Sequence, residues 1–345
     1  MKVGIINVTG YAGMELARIL YRHPEVEITS VTGRSAAGQK LGDFLPHLSA
    51  LDLTIVPEED LGDVGVAFSA LPQVASMETC APLVRQGVRV VDISADFRLK
   101  NPEEYQQWYK AAHTATDLLQ EAVYGLTEIY REPMRTCRLV ANPGCYPTSA
   151  LLALAPAVKE GIITADIIAD AKSGGSGAGR GLGLMYHYSE ANENVQAYGL
   201  DGHRHLPEIT QELRAIAPGF QPRLTFLTHL IPMTRGILTT CYAPFVDDRF
   251  QRSKNPKAEL LELYREFYRD EPFVRVVSTP PQTKHTLGNN DCVILPHLDL
   301  RTNRLMVVSV LDNLVKGAAG QAVQNMNVMC GYPETLGLES LAVYP

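Results

Sequence analysis

Along the first 140 residues, short continuous apolar runs alternate with stretches whose apolar positions repeat at helical spacing. Residues 2–8 (KVGIINV) predict a buried strand, the glycines at 10 and 13 a turn, and MELARILYRHP a helix that must end before Pro24. The pattern then repeats: EITSVTG and GVAFSALP read as strands, SMETCAPLVRQG as a helix, and VRVVDIS as a further strand. Strands alternating with helices predict an α/β, Rossmann-type, doubly wound parallel sheet over residues 1–144. After Cys145 the texture changes. A helix (PTSALLALAPAVKEG) leads into IITADIIADAKS, then a Gly-rich stretch over 174–183, then LTFLTHLIPM, GILTTCYAPFV, FVRVVST, DCVILPHLDL and RLMVVSVLD. Many strands and few helices predict a second, α+β domain with a mixed sheet over 145–312. From Asn313, apolar residues at Leu314, Val315, Ala318, Ala322, Val323 and Met326 predict a helix, so 313–345 is read as a helix and tail returning to the first domain.

Composition narrows the function classes. The chain has 345 residues, 46% of them hydrophobic, enough for two cores. Its formal charge of −7, without long single-sign runs, disfavours a nucleic-acid partner. The longest apolar run, Ala150 to Val158, contains Pro156 and falls far short of the roughly 20 residues a membrane helix needs. No membrane partner is expected, and a start that leads straight into a strand is read as cytoplasmic. The cysteines at 80, 137, 145, 241, 292 and 330 have neither disulfide-scaffold nor zinc-site spacing, so no metal is expected.

Two local patterns carry chemistry. Thr9, Gly10, Tyr11, Ala12 and Gly13 lie between the first strand and the first helix, where a dinucleotide fold presents helix N–H groups to a pyrophosphate. The spacing is G-x-x-G, with Asn7 where such loops often carry glycine; Asn tolerates the left-handed backbone, so the turn survives. At the end of the second strand an acidic residue would favour NAD, but Arg34 and Ser35 stand there and suit a 2′-phosphate, which favours NADP(H). Ser69, Leu71 and Pro72 end the third strand at the carboxyl edge, where dinucleotides lie. The second pattern is strand (RLVA), turn (Asn142, Pro143, Gly144), Cys145, then an apolar helix opened by Pro147. A thiol at a helix N-terminus gains from the dipole and the free N–H groups, which favour a thiolate and can bind an oxyanion.

The blocks VANPGCYPTSALLAL, GYAGMELARIL, VVDISADFRL, VYGLTEI, SGGSGAGRG, GHRHLPEI, LIPMTRGILTT and DNLVKGAAGQAVQNMN, spread in order over nearly the whole chain, resemble the N-acetyl-gamma-glutamyl-phosphate reductases of arginine biosynthesis. More widely, the chain resembles aspartate-semialdehyde and glyceraldehyde-3-phosphate dehydrogenases. The resemblance implies an oxidoreductase performing NADPH-dependent reductive dephosphorylation of N-acetyl-L-glutamyl 5-phosphate to the 5-semialdehyde through a Cys145 thioester. Its partners would be the small acyl phosphate substrate, inorganic phosphate and a second copy or more, as homodimer or homotetramer. A sister enzyme acting on carrier-protein-bound aminoadipyl phosphate in lysine synthesis is the nearest alternative, since one methylene of substrate is beyond the reach of spacing. A non-catalytic NADP-binding regulator is the alternative of another class, but it would have no use for a nucleophile.

Carried onto matching blocks, the resemblance implies that His203 and His205 form the acid/base site. An extended HRH segment would turn both rings to one side. Spacing does not choose between them; His203 is taken as the base and His205 as the substrate or phosphate contact. Arg98, Arg180 and Arg235 are the candidate cations for the substrate. Ser176 and Gly177, in a glycine loop, are an anion nest or a cofactor contact. Asn313 resembles the family's nicotinamide-side contact, though an Asn opening a helix also suits a cap.

Overall fold

The computed structural model describes residues 1–345, the side chain of Arg249 excepted, and the chain divides into two compact units: 1–144 with 318–340, and 145–317 with 341–345.

The first unit is built on seven strands: β1 Lys2–Ile6, β2 Glu27–Thr32, β3 Ile55–Val56, β4 Val66–Ser69, β5 Arg89–Asp92, β6 Val123–Tyr124 and β7 Leu139–Ala141. Their order is β3-β2-β1-β4-β5-β7-β6, and every pairing is parallel. Covered on both faces, the central strands are apolar throughout: Val3, Ile5, Ile6, Val66 and Phe68 have no exposed surface. The doubly wound parallel sheet expected from the sequence is present. Two strands, β3 and β6, escape the pattern because two residues are too few to show a period. The first strand stops at Ile6, short of the expected residue 8, because Asn7 adopts φ 65 and turns the chain.

The second unit carries β8 Asp166–Ser173, β9 Gln196–Tyr198, β10 Arg223–Leu230, β11 Ile237–Pro244, β12 Val274–Val276, β13 Cys292–Asp299 and β14 Arg304–Leu311. The order is β12-β13-β14-β11-β8-β10-β9, with β12–β13 and β8–β10 parallel and the other pairs antiparallel, so the sheet is mixed as expected. One face packs on the helix Cys145–Lys159, which is apolar and buried almost all round. Pro156 has no N–H to give the Leu152 carbonyl; the Tyr268 hydroxyl donates to it instead at 2.6 Å, and Tyr264 donates to the next carbonyl, Ala153, at 2.9 Å. On the same face Ser149 reaches Thr239 and Ser309 on β11 and β14, at 2.9 and 3.1 Å. The opposite face alternates out of the core and leaves Ile168, Leu238, Tyr242, Met306 and Val308 partly exposed.

The predicted C-terminal helix starts later than Asn313. The buried Asp312 carboxylate accepts the N–H groups of Leu314 and Val315, a π turn spans Val315–Ala319, and the α-helix runs Gly320–Cys330. That helix is buried and polar: Thr127 bonds Asn325 at 2.8 Å, Gln321 bonds Thr127 at 2.8 Å, and Asn325 bonds Asn142 at 2.9 Å. These buried side-chain bonds fix the helix's register within the first unit.

Candidate active site

In the first unit, the loop after β1 is set by three residues. Asn7 takes the left-handed conformation, its amide donates to the Ala70 carbonyl at 2.8 Å, and its side-chain oxygen accepts from Thr9 at 2.9 Å. Gly10 is the N-cap of the helix Tyr11–Leu20 and offers no capping side chain. The first N–H groups of that helix are therefore left for an anion. Gly13 is required by packing, since a Cβ there would stand 2.3 Å from the Asn7 carbonyl oxygen. This uncapped turn, with no Cβ at Gly10 or Gly13, fits a dinucleotide pyrophosphate.

Arg34 and Ser35 are exposed beyond β2, and the Arg34 guanidinium meets the Glu58 carboxylate at 3.0 Å. Beyond β4, Leu71 is buried and Pro72 exposed, but the Ser69 hydroxyl is turned inward. It lies 2.7 Å from Ser76, which in turn donates to Asp92 at 2.6 Å. Ser69 offers a ligand only its backbone. Burial pushes the Asp92 carboxyl up to about 6, with the nearby Asp96 adding to the shift. Val74, a β-branched residue, has φ 75 at the start of the helix Ala75–Arg85, a strain of about 1–3 kcal/mol. Asp96 holds it there by accepting the N–H groups of Val74 and Met77, each at 2.8 Å.

Arg98 is 6% exposed and donates to two backbone carbonyls, Asn142 at 2.8 Å and Ile93 at 2.7 Å. It braces the Asn142–Gly144 turn that leads to Cys145.

In the second unit the helix begins at Cys145 itself. Gly317, in the π turn, lies against it: a Cβ there would be 2.7 Å from the Cys145 Cβ. Burial raises the Cys137 thiol to about 11 and Cys241 to about 12, and pushes Cys80 and Cys330 up as well. Cys145 is partly exposed.

The HRH block is not extended. Leu206 donates its N–H to the His203 carbonyl at 2.8 Å, a turn that runs into the helix Leu206–Ile216 with His205 as helical N-cap. Proline at 207 opens this helix without losing a bond. The turn still brings the rings together, with centroids 4.7 Å apart. The His205 N–H donates to His203 Nδ1 at 3.1 Å, which assigns the neutral His203 proton to Nε2. Burial first and Arg204 second push the His203 imidazole down to about 4. At neutral pH it is an uncharged ring with an N–H to donate.

Ser176, Gly177 and Asn313 come together. The Asn313 amide donates to the Ser176 hydroxyl at 2.9 Å, its oxygen accepts the Gly236 N–H at 2.7 Å, and a Cβ at Gly177 would lie 3.8 Å from the amide nitrogen. Arg235 lies 3.5 Å from the buried Asp312 carboxylate, whereas Arg180 is on the exposed side of the glycine loop.

The sequence pattern missed Tyr146, Tyr198 and Phe226, whose rings surround the histidines, and Gly317. Tyr146 follows Cys145 and was visible as its neighbour. Tyr198 sits on a three-residue strand in an exposed stretch, with no period to mark it.

Two family models match the chain: the semialdehyde dehydrogenase NAD binding domain over residues 2–137 and the semialdehyde dehydrogenase dimerisation domain over 145–313. The N-acetyl-gamma-glutamyl-phosphate reductase of Dehalococcoides mccartyi strain CBDB1 is 54% identical over 346 residues, covering 100% of this chain and 99% of the relative. That of Pelotomaculum thermopropionicum is 49% identical over 352 residues, with 100% and 99% covered. The chain belongs to the N-acetyl-gamma-glutamyl-phosphate reductase family. The fold is shared more widely. Aspartate semialdehyde dehydrogenase II from Vibrio cholerae, complexed with ASA, superposes with a TM-score of 0.73 at 15% identity, covering 96% of this chain and 98% of the other. The aspartate semialdehyde dehydrogenase with NADP from Candida albicans gives 0.67 at 16%, covering 95% and 98%. No helix among the described residues is long and apolar enough to cross a membrane.

Proposed function

We propose that this chain is an NADP-dependent oxidoreductase of arginine biosynthesis, reducing N-acetyl-L-glutamyl 5-phosphate to N-acetyl-L-glutamate 5-semialdehyde with release of phosphate. The observation that carries the reading is the placement of Cys145 as first residue of a buried helix whose second residue packs against both imidazoles. Full-length relatives that carry the reductase name support it.

The Cys145 thiolate attacks the acyl phosphate carbon, and the tetrahedral oxyanion is met by N–H groups at the helix start. Phosphate leaves and a thioester remains. Bound NADPH supplies the hydride that reduces this thioester. Hydride addition leaves a hemithioacetal oxyanion; the imidazole pair lends it a proton and takes that proton back as the C–S bond breaks, which frees the aldehyde and returns the thiolate, while the one proton consumed overall departs on the phosphate. We assign that proton traffic to His203 and His205. Taking a proton on His203 has a cost, because burial holds the ring neutral down to about pH 4. Its Nε2–H is instead suited to donating to the oxyanion, so we assign the proton-accepting step to His205, the reverse of the assignment expected from sequence.

Thr9–Gly13, Arg34, Ser35 and the backbone at Ser69–Pro72 are assigned to the cofactor, with Ser176, Gly177 and Asn313 on its nicotinamide side. Arg98, Arg180 and Arg235 are assigned to substrate phosphate and carboxylate. We further assign the partly exposed face of the mixed sheet, which lies in the dimerisation domain, to self-association as homodimer or homotetramer. Six thiols fit a reducing cytoplasm.

A coupled NADPH-oxidation assay with acetylglutamyl phosphate against carrier-bound aminoadipyl phosphate tests the reading. A kcat/KM preference for the former of at least tenfold is expected; preference for the carrier-bound substrate would assign the chain to lysine synthesis.

A further inference from the structure

We infer that Tyr146, the residue directly after the nucleophile, is a positioning residue for the imidazole pair, and that Tyr198 is its anchor. The inference rests on the roles assigned above to Cys145, His203 and His205. Tyr146 is 3% exposed and sits one residue into the helix that starts at Cys145, so its ring is fixed to the nucleophile's own backbone. The ring meets His203 edge-on at 5.6 Å between centroids and His205 at 6.0 Å. Phe226 on β10 closes the remaining side, 5.6 Å from Tyr146 and 5.5 Å from His203.

The hydroxyl is held as firmly as the ring. It lies 2.9 Å from the Tyr198 hydroxyl, 3.5 Å from the His229 carbonyl, and is bonded by the Ser173 side chain. Tyr198 in turn packs its ring 5.8 Å from His203, and its carbonyl accepts the Thr228 hydroxyl at 2.7 Å. Gly199, at φ 66, turns the chain so that a Cβ there would lie 3.4 Å from the His203 Cβ. His203 is therefore gripped between two phenols that are bonded to each other.

The grip is neutral. Burial raises the Tyr146 phenol far above its ordinary range and Tyr198 to about 12, so neither ionises where the protein works. What the pair supplies is location and exclusion of water, and proton transfer needs the location: a displacement of about 1 Å costs on the order of 10²-fold in rate. The ionisable groups facing His203 are Arg204 and His205 in its own turn, Tyr146 on the helix and Tyr198 on β9. A change in the grip is readable in the titration of this one imidazole.

The test combines steady-state kinetics with an NMR titration of the histidines, using NADPH binding as the control for folding. Tyr146→Phe and Tyr198→Phe each break the hydroxyl–hydroxyl bond and keep the rings; each is expected to lower kcat about 3–10-fold with little change in KM, and the double variant to lose clearly less than the product of the two single losses. Tyr146→Leu removes the ring and is expected to lower kcat about 10²-fold, with His203 titrating at least about one unit higher as water reaches it. Full kcat and an unmoved His203 titration in a folded Tyr146→Leu would overturn the inference. So would a double Phe variant that loses the product of the two single losses, because the hydroxyls would then act separately. If Tyr146→Leu does not fold, the Phe cycle decides by the same criterion. His203→Asn and His205→Asn distinguish the two levels: if both keep normal kcat the acid/base assignment falls, whereas if they are crippled and the tyrosine variants are not, only the present inference falls.

Discussion

The two units bring different parts of the chain to their ligands. In residues 1–144 the proposed cofactor cradle is backbone, shaped by residues chosen for what they lack or tolerate: no side-chain cap at Gly10, no Cβ at Gly13, a left-handed turn at Asn7. In residues 145–317 the proposed reactive centre is side chains: Cys145 and, from the next residue on, a cluster in which the rings of Tyr146, Tyr198, His203, His205 and Phe226 pack on one another. Backbone sites are sensitive to a single added atom, while side-chain sites are sensitive to a single changed functional group. Substitutions in the two units should therefore fail in opposite ways, one in binding and the other in turnover.

The largest effect is expected at Cys145, the proposed nucleophile. Cys145→Ser should lower turnover by about 10³-fold or more, because a serine hydroxyl is almost entirely unionised near neutrality, while NADPH binding is unchanged. Activity within tenfold of the parent would remove the thioester from the mechanism.

Gly13→Ala is the counterpart in the first unit. Its Cβ, 2.3 Å from the Asn7 oxygen, should push the helix Tyr11–Leu20 off β1, costing about 1–3 kcal/mol of stability and weakening NADPH at least tenfold. Isothermal titration and chemical unfolding read both; unchanged values would mean that the loop has slack the packing does not reveal.

A pH series sharpens the contrast. The folded pKa of His203, about 4, lies below the ordinary 6.5, so the unfolded chain binds this proton more readily. Its contribution is fully present above about 6.5 and is lost as the pH falls towards 4, by roughly 3 kcal/mol. Urea unfolding of a His203→Gln variant should show a flatter slope across that window than the parent.

The smallest expected effect is at Arg34. Its exposed guanidinium already has a carboxylate partner in Glu58, which offsets part of any new charge-assisted bond, so Arg34→Ala should cost about 1 kcal/mol in NADPH affinity, with NADH little changed. Equal loss for both cofactors would show that Arg34 shapes the loop and does not read the 2′-phosphate.

Much of this was legible in the chain alone because it depends on local covalent and conformational rules. Alternating apolar runs set the parallel sheet, Gly10 and Gly13 the nucleotide turn, and the strand–turn–Cys145–Pro147 pattern a thiol at a helix start. None of these needs a distant residue to be understood. Tertiary structure decided what no local rule contains. It turned the Ser69 hydroxyl inward to Ser76, committed two Arg98 nitrogens to the carbonyls of Ile93 and Asn142, and folded the HRH block into a turn. It also brought Tyr198 to Tyr146 across 52 residues of sequence. The physical reason is range: backbone preferences act over a few residues, whereas the burial that sets the charge state of His203, and the rings that grip it, exist only once β9, β10 and the helix from Cys145 have packed together.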